Sequence, residues 1–230
     1  MKGKKQVLNI KKSLYVLHTK VWSLFGLLDA QDANSMLKHG VFAMHLDIRT
    51  QFKEALEYTK SSLNYIFSAI LIFLLSAFIG FILKEKLAFI DKFLEELILK
   101  TASLSLIEMI FFILQNNVQS ALFSLIAGIF LGIPPLLSAV TNGVVIGYVL
   151  SKTYEIGGLA IWWRLLPHGI FELPAVFIAL GMGMKLGAAL FKNKKEIKDK
   201  LYQSINVFLM IILPLLITAA IIEGLLISFL

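Results

Sequence analysis

Residues 63–83 run for 21 positions without a charge, and no other feature constrains this chain as strongly. At a rise of about 1.5 Å per residue, a helix of that length covers the roughly 30 Å hydrocarbon core of a bilayer. Backbone polar groups in lipid must be satisfied within the chain, so the run reads as a transmembrane helix. Four more apolar stretches follow, at 118–133, 136–150, 165–191 and 201–230. Composition agrees: 16% of the 230 residues are charged and 58% are hydrophobic, against roughly a quarter charged in soluble domains. The expected fold class is an all-α polytopic membrane protein, a bundle of about five transmembrane helices.

The flanking segments are basic and periodic. Residues 1–62 carry the first basic block and form an N-terminal segment apart from the transmembrane domain at 63–230. Residues 13–28 read as an amphipathic helix on the membrane surface, because His18 and Lys20 interrupt the apolar run. Apolar residues at 41, 44, 48, 52 and 56 have helical spacing and lead into the first span. Residues 84–100 place Leu87, Ile90, Leu94 and Leu97 on one face, which predicts an interfacial helix. Residues 101–114 either pack beside the bundle or cross it. The runs 118–133 and 136–150 are short for crossings and are separated by Pro134-Pro135, so they form two short spans or a re-entrant hairpin.

The net charge of +7 fits the positive-inside bias of a cell-membrane protein better than nucleic acid binding. The basic blocks at the N-terminus and at 192–200 place the N-terminus in the cytoplasm and, with five crossings, the C-terminus outside. With no cysteine, disulfides and thiol chemistry are excluded. No His-Glu-x-x-His motif or nucleophile elbow is present, so an intramembrane hydrolase is not expected. Lys185 and Arg164 read as snorkelling side chains.

Polar residues inside the apolar stretches are costly and need a reason. Asn116 and Asn117 are expected to begin a helix at the outer surface. His168 and Glu172 share one helix face there, and Glu223 lies in the outer half of the last span; Glu108 joins if its helix packs alongside. These six residues are the candidates for ligand or ion binding. The structural alternative is that they satisfy one another and hold the helices together. His168 and Glu172, four apart, also suit a divalent metal such as zinc, with a third ligand from Glu223, Glu108 or an asparagine. Small residues recur at every fourth position in three consecutive helices, including the pairs Gly128/Gly132, Gly143/Gly147 and Gly183/Gly187. Such faces let helices approach closely, either within one chain or across a homodimer.

Several of these elements occur in a recognisable order. Asn116-Asn117 precede a glycine-bearing apolar helix. Then come Pro134-Pro135, Asn142-Gly143, Pro167-His168-Gly169 and Glu172-Leu173-Pro174-Ala175. This series resembles the stage II sporulation protein M family of integral membrane proteins over about a third of the chain. The resemblance implies a non-enzymatic membrane component. In spore formers such proteins act in engulfment as scaffolds, with partners that include cell-wall hydrolases. Two functions are therefore carried forward. One is a membrane scaffold that docks protein partners. The other is a transporter or channel-like protein with an ion or ligand site in the outer half of the membrane.

Overall fold

Leucine, isoleucine and phenylalanine dominate the first uncharged run, and it forms one helix, α2, Leu63–Ile82. The computed structural model of the chain describes residues 48–158, 162, 166–192 and 196–229. Helix α1, Ile48–Ser61, precedes α2. Ile66 N–H bonds the Ser62 carbonyl at 3.1 Å, so the chain passes from α1 into the span without a loop. A 3-10 turn, Lys84–Leu87, and α3, Phe89–Thr101, follow. Then come α4, Leu106–Ile126, prolonged by the 3-10 turn Ala127–Ile129, and α5, Ile133–Gly157. Helix α6 is Leu166–Lys192, α7 Ile197–Val207 and α8 Leu213–Phe229. Among the described residues, five stretches are long and apolar enough to span: Leu63–Ile82, Leu106–Ile129, Ile133–Gly157, Gly169–Phe191 and Ile197–Ile227. The protein is a multi-pass, all-α membrane bundle. Residues 1–51 and 52–230 form separate units. The bundle is the second, and the expected surface helix at 13–28 lies outside the described residues.

The two helices around Pro134-Pro135 are longer than the apolar runs suggest. Residues 106–114 neither cross separately nor pack alongside; they are the first half of α4. The helix starts at Ser105, whose backbone N–H and hydroxyl both donate to Glu108 Oε2, at 2.9 and 2.7 Å. This capping box satisfies exposed donors at the helix start. Asn116 and Asn117, expected at a helix N-terminus, therefore lie in mid-helix. They have only middling helix propensity and break nothing. The chain turns at Leu131 and Gly132, both at positive φ (58° and 74°). Pro134 and Pro135 then occupy the first turn of α5, where a missing N–H costs nothing. Helix α5 continues past residue 150 to Gly157. In place of short, broken helices or a re-entrant dip, the pair consists of two full-length helices. In the last span, Pro214 cannot donate to the Met210 carbonyl, and the preceding residues Phe208–Ile212 relax into a π turn.

Small residues set how the helices pack. A Cβ on Gly143 would meet the Phe73 carbonyl, and one on Gly147 the Ala77 carbonyl. The step is four residues on both sides, so α2 and α5 run parallel. A Cβ on Gly128 would strike the Gly183 carbonyl, and one on Gly187 the backbone of Gly132; α4 and α6 are likewise parallel. Helix α6 touches α2, α4, α5 and α8 and forms the centre of the bundle. At the end where α2 stops, charged groups tie the 3-10 turn and α3 to α5. Lys84 pairs with Glu155. Asp91 accepts from the Tyr148 hydroxyl at 2.6 Å and from Lys152 Nζ at 3.2 Å. The Tyr148 hydrogen bond, helped by Lys152, holds the Asp91 carboxyl below the usual carboxylate range.

Candidate intramembrane site at a three-helix junction

Three spans meet beside the Pro134-Pro135 turn. The Cβ position of Gly183 on α6 faces both the Ser124 carbonyl of α4 and the Pro135 ring of α5. The buried Ser124 hydroxyl donates to Ser138 Oγ at 3.1 Å, joining α4 to α5. The Asn142 amide, one turn further along α5, donates to the Ser138 carbonyl at 2.8 Å and to Ser138 Oγ at 3.1 Å. A chain of polar contacts thus runs from α4 through Ser138 to Asn142.

The same faces carry polar residues further from the turn. Asn117 lies two turns from Ser124 and three from Gly128 on α4, so it shares their face. Glu172 lies three turns from Gly183 on α6. Gly128 packs on Gly183, and eleven residues back along both parallel helices the register brings Asn117 level with Glu172. Both are half-buried, and Asn142 is exposed. A profile described as stage II sporulation protein M matches residues 41–226. The chain belongs to that family. It is 29% identical over 118 residues to an uncharacterized protein of Methanocaldococcus jannaschii. That match covers 48% of this chain and 51% of the relative, so the chain spans about half the length of the curated relative it matches. No solved structure matches the chain.

The family match reaches well beyond the third of the chain that carries the resemblance, from before α1 into the last span. Of its polar elements, Asn142 lies at the junction through Ser138 and Pro134-Pro135 builds the turn beneath it, whereas Asn117 and Glu172 lie three turns away along α4 and α6. The other candidates do not join them. Asn116 faces outward at mid-span, near Gln115, Gln119 and Ser120, all exposed. Glu108 caps its own helix. Glu223 neighbours Gly224, whose Cα packs on Ile110; seven residues separate Ile110 from Asn117, about 10 Å along the helix. His168 is in the first turn of α6, but its side chain and Arg164 lie outside the described residues. Among the described residues no three of His, Cys, Asp and Glu gather closely enough to hold a metal ion. The six glycines of the small-residue stripes pack within the chain.

Sequence reasoning missed the Ser124–Ser138 link, although Ser124 belongs to a small-residue stripe. It also missed the Asp91–Tyr148–Lys152 cluster, because the partners are far apart in the chain. Chemically, the junction offers the Asn142 amide and two hydroxyls. These supply donors and acceptors in a low-dielectric setting where each polar contact is strengthened.

Proposed function

We propose that this protein is a non-enzymatic membrane component that docks protein partners within the bilayer. The observation that carries the reading is the exposed amide face of α4, Gln115, Asn116 and Gln119, at the middle of a span. Amides facing hydrocarbon are costly, and a neighbouring helix with polar groups is their natural complement. The glycine stripes are occupied inside the chain, which leaves this face as the surface for a second copy or another membrane protein. The basic blocks support a cytoplasmic N-terminus, an external C-terminus and residence in the cell membrane. The test is the composition of the complex extracted from its native membrane in mild detergent. Asn116→Leu/Gln119→Leu is expected to lose co-purifying subunits while melting like the wild type. An unchanged composition refutes the docking role.

A second reading rests on Glu172, half-buried in the first half of α6 and level with Asn117 by register. A carboxyl group at that depth suits a proton or a small cation. In that case Glu172→Gln abolishes a cation-dependent gain in thermal stability and leaves the ligand-free protein nearly as stable. Under the docking reading it lowers stability with or without added cation.

A further inference from the structure

A second polar site sits on α6 two residues beyond Gly183. Lys185 lies in the spanning part of that helix and is half-buried. It folds onto the start of α2 and donates to Ser61 Oγ and Ser62 Oγ, both at 2.8 Å. It also lies 3.7 Å from the centre of the Tyr58 ring. The two hydroxyls donate in turn to the Tyr58 carbonyl, each at 2.7 Å. The cradle therefore fixes the ammonium through neutral acceptors and a ring face. Among the described residues no carboxylate comes within ion-pair distance of Lys185, whereas nearby Lys200 is paired with Glu196 at 2.7 Å.

The cradle borders an open, shallow cavity of about 440 Å³, lined also by Glu54, Glu57, Lys200 and Gln203. Glu54 and Glu57 are exposed, and Glu57 only brushes Lys53 at 4.0 Å. The order of charges along the bundle axis is informative. Moving outward from the apolar span, the chain presents the Lys185 ammonium first and the carboxylates next; Glu57 is one turn beyond Ser61, about 6 Å further along α1. An amino-phospholipid has the complementary order: acyl chains, then phosphate, then ammonium. The apolar flank of α2, with Leu63 and Phe67 exposed, provides a surface for the chains.

We propose that this cavity binds an ammonium-bearing phosphate ester, with the phosphate on Lys185 and the ammonium at Glu54 and Glu57. The ligand is either a lipid headgroup or the free phosphoester. The test uses the purified full chain in detergent doped with phosphatidylethanolamine or phosphatidylglycerol, and separately with soluble phosphoethanolamine. Binding is read by titration and by melting temperature. The wild type should bind phosphatidylethanolamine roughly tenfold more tightly than phosphatidylglycerol, the size of one charge-assisted hydrogen bond. Lys185→Gln should lose binding of both. Glu54→Gln/Glu57→Gln alters exposed rim positions, leaves the fold intact and should reverse the preference toward phosphatidylglycerol. Equal binding of soluble phosphoethanolamine supports the site with a free ligand; weaker binding assigns it to a membrane lipid. A wild type indifferent to headgroup, or a rim variant with wild-type preference, overturns the proposal.

Discussion

Gly183→Ala is the most direct probe of the three-helix junction. The added methyl group would meet the Ser124 carbonyl and the Pro135 ring together. Neither obstacle is the end of a flexible side chain, so the helices must part. Overpacking of this kind costs about 1–3 kcal/mol, and rigid obstacles favour the upper half of that range. For a chain of this size each kcal/mol shifts the melting temperature by roughly 2–4 °C. A loss of about 4–12 °C is therefore expected. Gly169→Ala, in the same helix, provides the control. There the nearest atom to the new methyl is Leu173 Cδ1 at 3.9 Å, an ordinary contact. Replacing a helical glycine by alanine generally stabilises by roughly 0.5–1 kcal/mol, so this variant should melt with or above the wild type. The assay is thermal unfolding of detergent-purified protein followed by size-exclusion fluorescence. Two variants that melt together would refute the junction as the point where α4, α5 and α6 are held in close contact.

Two further outcomes follow from the polar contacts. The chain has no cysteine, so Ser124→Cys/Ser138→Cys gives a background-free reporter of a 3.1 Å contact; mild oxidation should protect both thiols from maleimide, and full labelling after oxidation would contradict the contact. Asp91 is depressed in the folded protein by the Tyr148 hydroxyl and Lys152, so its stabilisation is present above its unfolded value near pH 4 and lost as pH falls through the lower folded value; acid melting curves should show this loss in the wild type and not in Asp91→Asn.

The sequence exposes its spans where apolar residues are unbroken and conceals them where polar residues intervene. Leu63–Ile82 is legible because nothing in it competes with lipid. In α4 the asparagine pair imitates a helix start, whereas the true start is written in Ser105 and Glu108, a spacing that satisfies two backbone donors. Proline pairs read as breaks, yet Pro134-Pro135 opens a helix because the first turn needs no amide donors. Glu172 and Asn117 are visible as costly residues, but their common level depends on Gly128 meeting Gly183. That contact joins parallel helices separated by a third, so no local period reports it. The Lys185 cradle is hidden for a similar reason. Its hydroxyl partners are 123 and 124 positions away in the chain.

The parallel pairs have a consequence for biogenesis. Helix α2 finds its closest partner in α5, and α4 finds its own in α6, so the pairings interleave along the chain. No early group of spans is self-sufficient as it leaves the ribosome. When α4 and α5 have emerged, Ser124 and Pro135 face a position that Gly183 of α6 has not yet reached. The nascent hairpin must wait for Gly183 while exposed to lipid or sheltered by the insertion machinery. Assembly is thus timed by the arrival of the central helix, and a chain that stalls before it is a candidate for membrane quality control.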